Sequence, residues 1–344
     1  DLLLELIAGR TKDSPQPRPL CGFIIDSPWL PGWYGVSTLQ YYASGETWFK
    51  ANLKAVETFP GVLFLPGWWS EFGMCTEPSA FGSKLVWNEY SLPHAGRVIG
   101  DISAAASLKK PDPRTEGLLP FILQRLVEYH DPIRNAGHEI RFAVARGPLN
   151  IASFLMGTSE FMMALVMNPG ECHQLLRVIT DFTVDWLQLQ KETFPSIDGI
   201  LILDDIVGFV DEDSCKTFAI PYLKEIYKAF EAKVRFFHND ASGLVSTPFL
   251  KEAGINLFNF SFEHSINEIR RLAGEEMVLL GNLPPRDVMA AGTPRQVREG
   301  VQDMWAATGN KDSIIWSVGG GMPQDVPSEN ITAFTRALGD CYNK

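Results

Sequence analysis

Short apolar runs that end in polar residues recur along this chain, and one of them ends in a histidine and an aspartate. Val234 to Phe237 are mostly apolar and lead directly into His238, Asn239 and Asp240. A strand buried on both faces has this near-continuous apolar character. The run therefore predicts a buried strand whose end carries side chains suited to proton transfer or metal binding.

Seven further runs have the same form, and segments of helical periodicity separate them. The eight predicted strands are 21–26, 62–66, 141–147, 199–205, 234–240, 256–263, 277–282 and 313–319. Apolar strands that alternate with helices indicate a parallel sheet covered on both faces. Eight such units predict an α/β fold, a (β/α)8 TIM barrel in a single domain spanning 1–344. A doubly wound open sheet is the alternative, because periodicity alone does not show closure, although no GxGxxG or P-loop supports its nucleotide-binding form.

The segments between the runs predict helices, loops and one insertion. The main predicted helices are 38–59, 115–135, 169–194, 211–230 and 244–253. Residues 27–34 are predicted to form a loop rich in aromatic and proline residues. Glycine and proline punctuate residues 70–113, which contain one predicted strand at 84–87. This segment is expected to be an insertion or lid rather than a separate domain.

Composition narrows the classes of partner and compartment. The formal net charge is −11, which argues against nucleic acid and anionic membranes as main partners, because both bind basic patches. Five scattered cysteines without a CxxC pair predict no disulfide framework and favour a reducing, cytoplasmic compartment. No apolar run approaches the ~20 residues of a membrane span. We expect a cytoplasmic protein that acts on a small molecule; the sequence leaves self-association open.

In a (β/α)8 barrel the polar ends of the strands converge at one face, where such enzymes carry their active sites. The residues concerned are Asp26, Arg146, Asp204, Asp205, His238, Asn239, Asp240, Glu263, Asn282 and Ser317. His238 and Asp240 are two apart and share a face, so both can reach one ion. With Glu263 or Asp205 they form a candidate metal site. Each single carboxylate has a structural alternative as a helix cap.

Four tryptophans follow the first two predicted strands. Trp29, Trp33, Trp68 and Trp69 lie in stretches rich in proline and glycine, which favour loops over the barrel mouth. Flat apolar rings above polar groups suit a planar organic substrate. We therefore expect these rings to contact the substrate, and packing within the core is the alternative.

Several motifs of the chain resemble those of the uroporphyrinogen decarboxylase superfamily. Residues 146–157, RGPLNIASFLMG, resemble its GP-(F/L)-x-x-A-x-x-L-x-G segment. Residues 281–283, 292–294 and 317–330 resemble its C-terminal signature and stand in the same order. The resemblance covers residues 140–340 well and the N-terminal third only loosely. It implies the same (β/α)8 barrel.

The superfamily contains cofactor-free decarboxylases and cobalamin-dependent methyltransferases, and the chain resembles the second branch more closely. The decarboxylases carry an arginine-rich N-terminal segment and an aspartate after the second strand. Residues 26–33 here contain no arginine, and 66–71 contain no aspartate. A substrate with many carboxylates requires such arginines, so their absence disfavours uroporphyrinogen. By this resemblance Asp26 and Asn282 are expected to contact the substrate.

The thiol-methylating members of that branch bind zinc through a His-x-Cys pair and a later cysteine. His238 matches their histidine, whereas Asp240 and Gly320 stand in place of the two cysteines. The resemblance therefore implies a harder ligand set, which suits zinc with an ether or phenol oxygen, or a site without metal.

The function that this resemblance favours is corrinoid-dependent methyl transfer. A small donor, for example a methoxylated aromatic, would be O-demethylated and its methyl group passed to the cobalamin of a partner protein. His238, Asp240, Asp205 and Arg146 would be catalytic. One alternative is a cofactor-free carboxy-lyase, in which Arg146 holds a carboxylate and Asp26 or His238 protonates the carbanion that loss of CO2 leaves. The other is a non-catalytic barrel that binds a corrinoid or tetrapyrrole.

Overall fold

Eight parallel strands form the centre of the protein in the computed structural model, which describes residues 2–9, 19–25 and 27–343. They are β1 Leu20–Ile24, β2 Val62–Leu65, β3 Phe142–Arg146, β4 Gly199–Leu203, β5 Val234–Asn239, β6 Leu257–Phe260, β7 Val278–Leu283 and β8 Ile314–Val318. Each strand overlaps one predicted run, so all eight predictions are confirmed. Asp26, at the end of the first run, lies outside the described residues.

The strands follow the order of a barrel. Hydrogen-bonded neighbours run β2-β1-β8-β7-β6-β5-β4-β3, all parallel. This order passes once around a ring, whereas a doubly wound sheet reverses at a switch point, so the open-sheet alternative is wrong. Within the described residues no backbone pairing joins β2 to β3. We call this gap the seam; the fold is thus a TIM-barrel-like α/β fold with one open seam.

The strand residues that point inward form a packed core. They include Ile24, Leu65, Phe142, Leu201, Leu203, Phe236, Leu257, Leu280 and Ile315. Helix α1, Leu2–Ile7, adds Leu3 and Leu6 to this cluster. The larger core lies between the sheet and the surrounding helices. Apolar side chains fill the interior of the barrel. A site is therefore expected from the polar side chains at the carboxyl ends of the strands.

Helices surround the sheet. They are α2 Leu30–Tyr34, α3 Thr38–Ala43, α4 Gly45–Thr58, α5 Thr76–Ala80, α6 Leu119–Asn135, α7 Pro148–Met156, α8 Thr158–Met167, α9 Pro169–Thr193, α10 Glu212–Ser214, α11 Ile220–Ile226, α12 Ile266–Ala273, α13 Pro294–Ala307 and α14 Ser328–Tyr342. Short 3-10 helices occupy Ile102–Ser107, Asp205–Phe209 and Thr247–Phe249, and π-helical turns occupy Cys215–Ala219 and Pro285–Ala290.

Three of the predicted connections differ from the structure. The predicted helix 38–59 is two helices, because Ser44 has extended backbone and its Oγ accepts the N–H of Thr47 as a new N-cap. The predicted loop 27–34 contains α2, which has Pro31 in its first turn. The predicted helix 244–253 is wrong, since only Thr247–Phe249 is helical there; Pro248 has no N–H to donate to the preceding turn.

Residues 70–113 have little regular structure. Helix α5 is followed by an antiparallel pair, Leu85–Val86 with His94–Ala95, and then by the 3-10 turn. The predicted strand at 84–87 is confirmed, and the description of this segment as a lid stays a prediction.

Among the described residues no single helix is long and apolar enough to cross a membrane. Helices α7 and α8 pass such a test only as a pair, and they are bent by 110° from each other.

Candidate active site

A cavity of about 830 Å³ opens at the carboxyl ends of the strands, on the face where the sequence predicts the site. We call it the mouth pocket. Its charged or titratable lining residues are Glu71, Tyr90, Arg146, Asp205, His238, Asp240, Arg286 and Asp325. Apolar side chains, among them Ile24 and Leu203 from the ends of β1 and β4, line the remainder. The pocket therefore combines an apolar wall with a few convergent charges, as small-molecule sites do.

Three of the predicted residues meet at one point of this pocket. His238 follows Phe236 by two positions on β5, and Asp205 follows Leu203 by two positions after β4, so both side chains point inward. The Nε2 atom of His238 lies 3.6 Å from Oδ1 of Asp205 and 4.0 Å from Oδ2 of Asp240. One ligand atom from each residue lies within 4.8 Å of the others, which suits a shared divalent ion. We call these three residues the carboxylate–histidine cluster.

Asn259 fixes the orientation of the histidine. Its Nδ2 donates to the backbone oxygen of Leu280 at 2.8 Å, so its Oδ1 faces His238 Nδ1 at 2.7 Å. An amide oxygen only accepts, and Nδ1 must therefore carry the ring proton. The lone pair of Nε2 then faces Asp205 and Asp240. A lone pair directed at two carboxylates is favourable only when a cation or proton lies between them.

The electrostatic surroundings of Asp205 also favour a cation at this point. Burial raises the pKa of Asp205, the nearby imidazole of His238 opposes that rise, and the like charge of Asp240 adds to it. The backbone N–H of Asp240 donates to Asp205 Oδ1 at 3.2 Å. A divalent cation would relieve the repulsion between the two carboxylates. The donor set, one imidazole nitrogen and two carboxylates, fits zinc with an open coordination position.

An ion pair forms the opposite wall of the pocket. Nη2 of Arg146, at the end of β3, donates to Oε2 of Glu71 at 2.6 Å, and about a tenth of each side chain is exposed. Glu71 follows β2, so this ion pair spans the seam. Burial raises the pKa of Glu71, while Arg146 and the Ser27 hydroxyl oppose that rise. The sequence predicts Arg146 in the site. The structure places it in the wall of the mouth pocket, where Glu71 balances its charge.

Behind the ion pair lies a second buried carboxyl group. Oε1 of Glu77 accepts the backbone N–H of Arg146 at 3.1 Å, and Oε2 has no hydrogen-bond partner in the described part of the chain. Burial raises the pKa of Glu77 to about 7, although Arg146 opposes the rise. Glu77 is therefore a proton-holding neighbour of the pocket.

Asp204 points away from the pocket, as the alternation of strand side chains predicts. It is fully buried, and its Oδ2 accepts the N–H of Leu149 at 3.0 Å in the first turn of α7. Burial raises the pKa of Asp204 to about 8. Its position beside a helix N-terminus is that of a structural carboxylate.

The four tryptophans lie in the packing of the barrel and do not line the mouth pocket, which corrects the sequence-based expectation. They are Trp29, Trp33, Trp68 and Trp69. The indole of Trp29 is fully buried, stacks on Trp33 at 5.0 Å between centroids, and donates to the Val326 oxygen. The Trp69 indole donates to the Ile25 oxygen and belongs to the interior core. Indoles with satisfied N–H groups and buried faces have packing roles.

Two other candidates also lie outside the mouth pocket. Asn282 donates through Nδ2 to the backbone oxygens of Ser261 and His264 and, with Glu263, lines a separate cavity of about 520 Å³. Glu263 is exposed. The predicted metal ligands His238, Asp240 and Glu263 are therefore not brought together; Asp205 stands beside His238 and Asp240 in place of Glu263.

Three contributors were not predicted from the sequence: Glu71, Glu77 and Asn259. A signal for Asn259 was present, because it stands two residues after Leu257 and so shares the inward face of β6. Glu71 lies in irregular chain after β2, and Glu77 lies in the five-residue helix α5, which is too short to show a periodicity that places a side chain.

The chain can now be compared with known proteins. Residues 33–340 match the family model "Uroporphyrinogen decarboxylase (URO-D)". The chain belongs to this family. A curated uroporphyrinogen decarboxylase from Xylella fastidiosa is 24% identical over 277 residues, 76% of each chain. A methylated-thiol–coenzyme M methyltransferase from Methanosarcina mazei is 23% identical over 270 residues, 78% of this chain and 70% of that one.

Solved structures confirm the fold. A methyltransferase from Methanosarcina mazei superimposes with a TM-score of 0.80 at 17% identity, covering 99% of this chain and 98% of that one. A B12-independent methionine synthase from Shewanella sp. W3-18-1 gives 0.55 at 10% identity over 95% of this chain and 96% of that one. The curated relatives of the family are enzymes of two kinds, decarboxylases and methyltransferases.

Proposed function

We propose that this protein is a methyltransferase that moves a methyl group from a small donor, such as a methoxylated aromatic, to the cobalamin of a partner corrinoid protein. The observation that carries the proposal is the carboxylate–histidine cluster, in which Asp205, His238 and Asp240 converge on one point of the mouth pocket. Similarity to a methylated-thiol methyltransferase supports the reaction class.

The residues of the cluster have separate tasks in this proposal. A bound zinc ion would polarise the oxygen that leaves when the methyl group departs. Asn259 holds His238 with Nε2 available as a ligand, and Asp205 and Asp240 balance the cation's charge. The apolar part of the pocket binds the donor's ring and keeps water away from the developing oxyanion.

The pocket is poorly suited to uroporphyrinogen. A porphyrinogen with many carboxylates requires uncompensated cations along its site. Among the described lining residues, four carboxylates face two guanidinium groups, and one of these, Arg146, is paired with Glu71. The lining therefore repels a polyanion, and the decarboxylase alternative has less support than methyl transfer.

A donor screen tests the proposal. Purified protein is incubated with free cob(I)alamin and a panel of methoxylated aromatics and methylamines, and methylcobalamin formation is read from absorbance. We expect at least one methoxylated donor to react, with about one zinc bound per chain. His238→Ala should slow the reaction at least about 100-fold.

The matched control is His94→Ala, which removes an exposed histidine that does not line the pocket. It should react like the wild type. No methylcobalamin from any donor, or an unchanged rate in His238→Ala, would contradict the proposed function. Release of CO2 from a carboxylated substrate without metal or cobalamin would favour the carboxy-lyase instead.

A further inference from the structure

We infer that the mouth pocket selects an uncharged methyl donor over a carboxylated one, and that Glu71 sets this selectivity by neutralising Arg146. That the ligand is a methyl donor rests on the proposed function, whereas the selectivity concerns only which ligand the pocket binds.

Both carboxylate oxygens of Glu71 are engaged by the protein itself. Oε2 accepts from Arg146 Nη2 at 2.6 Å, and Oε1 accepts from the Ser27 hydroxyl at 3.2 Å. Ser27 in turn accepts from the Tyr42 hydroxyl at 2.5 Å. A carboxylate held from two sides keeps its geometry, so the guanidinium of Arg146 stays compensated while the pocket is open to solvent.

The remaining charges of the pocket do not supply another site for a carboxylate. Arg286 is exposed at the rim, as is Asp325, and solvent screens both. Without a metal, the described lining has a formal charge of −2 when His238 is neutral. A divalent ion bound at the cluster brings this to zero. Without a metal the lining therefore repels an anion, whereas an open position on a bound zinc ion would accept one.

The apolar part of the lining favours the same class of ligand. It includes Ile24, Pro28, Leu92, Leu203 and Met322. An aromatic ether gains by burying its ring against these side chains, whereas an added carboxylate would lose its hydration there without gaining a partner. The charge of the lining and its apolar surface therefore both favour an uncharged ligand.

Two probe ligands that differ by one carboxylate test the inference. They are 2-methoxyphenol and 4-hydroxy-3-methoxybenzoate, titrated by calorimetry into the wild-type protein, once zinc-loaded and once after chelation, with no cobalamin present. We expect 2-methoxyphenol to bind at least about tenfold more tightly to the chelated protein, and this preference to narrow in the zinc-loaded protein, where an open position of the ion accepts a carboxylate. In the chelated protein, equal binding of the two, tighter binding of the benzoate, or no measurable binding of 2-methoxyphenol would overturn the inference.

Glu71→Gln tests the assigned residue. The substitution keeps the side-chain length but leaves the charge of Arg146 uncompensated, so the ratio of the two affinities should shift toward the benzoate by at least about tenfold. Glu57→Gln, which removes one exposed carboxylate on α4, is the matched control and should leave the ratio unchanged. An unchanged ratio in Glu71→Gln would overturn the role of Glu71.

If Glu71→Gln folds poorly, a second variant still tests the inference. The double change Glu71→Gln and Arg146→Gln removes both charges and should restore the wild-type preference for 2-methoxyphenol. A preference for the benzoate in this double variant would overturn the inference. Selective binding without methyl transfer would contradict the proposed function alone, and transfer from both donors at equal efficiency would contradict the selectivity alone.

Discussion

The carboxylate of Asp240 occupies the space that a side chain at position 320 would fill. A Cβ atom built on Gly320 would lie 2.5 Å from Oδ2 of Asp240, and the backbone of Gly320 has a φ of +103°. These are the two positions at which the resemblance to thiol methyltransferases predicts zinc-binding cysteines. Because they lie so close together, a side chain at position 320 would press against the Asp240 carboxylate.

Gly320→Ala should therefore damage the carboxylate–histidine cluster. The added methyl group must displace Asp240, because backbone strain at positive φ leaves no easy way to move the chain. We expect a destabilisation of about 1–3 kcal/mol and at least a tenfold loss of zinc affinity. Urea unfolding and a competitive zinc titration measure the two effects.

Gly274→Ala is the matched control for this variant. Gly274 has a φ of +90° and nothing within 4 Å of a Cβ atom. Gly274→Ala therefore adds backbone strain without adding a side-chain contact. It should lose about 1 kcal/mol of stability and keep wild-type zinc affinity. Equal zinc affinity in Gly320→Ala and Gly274→Ala would show that the contact with Asp240 has no effect on the site.

Removing the hydrogen bond from Asn259 should weaken metal binding without unfolding the barrel. Asn259→Leu leaves His238 free to rotate or to place its proton on Nε2, and such supporting residues typically change affinity 10–100-fold. Asn259→Asp keeps an acceptor for Nδ1 and should recover most of the loss. A zinc titration that finds the leucine variant equal to the wild type would contradict the assigned tautomer.

The buried carboxyl group of Glu77 should make stability depend on pH. Its pKa is raised to about 7 in the folded protein, so the folded state keeps this proton when the unfolded chain releases it near pH 4.5. Its contribution is therefore largest at low pH and falls as pH rises from about 4.5 to about 7. Relative to Glu77→Gln, the wild type should lose about 3 kcal/mol over this window.

Urea unfolding of both proteins at a series of pH values gives the difference directly. Glu57→Gln serves again as the control, and its pH profile should run parallel to that of the wild type. Parallel profiles for wild type and Glu77→Gln would mean that Glu77 is ionised in the folded state at neutral pH.

The N-terminal helix should contribute to the stability of the barrel through its two inward leucines. Leu6 is buried in the interior core, so Leu6→Ala should cost about 2–5 kcal/mol in a urea titration. Leu2, on the same helix, is half exposed, and Leu2→Ala should change stability by less than about 0.5 kcal/mol. Equal effects would mean that α1 is not packed against the barrel in solution.

The fold was largely predictable because each strand is buried on both faces. Runs such as 199–205 have no other stable environment than a covered parallel sheet, and their number and alternation with helices specify a barrel. The inward direction of His238 and Asp240 followed from strand alternation alone. The two side chains lie together in the mouth pocket, and their functional roles stay a prediction.

The predictions were weaker where loops decide. Trp29 and Trp69 lie in loop-like sequence, yet their rings are buried, because aromatic side chains in short connections can fold back onto the strands. Glu71 could not be placed from its own segment, since its position depends on Arg146, 75 residues later. Long-range ion pairs leave no local pattern in a sequence.

The seam between β2 and β3 makes one part of the barrel wall different from the rest. Seven strand pairings join the eight strands of the barrel. At the seam, where the described chain has no such pairing, the ion pair between Glu71 and Arg146 links the two sides. Loss of this ion pair would break no backbone pairing between the described strands. At the seam the mouth pocket is therefore bounded by a side-chain ion pair, whereas elsewhere neighbouring strands are joined by their backbones.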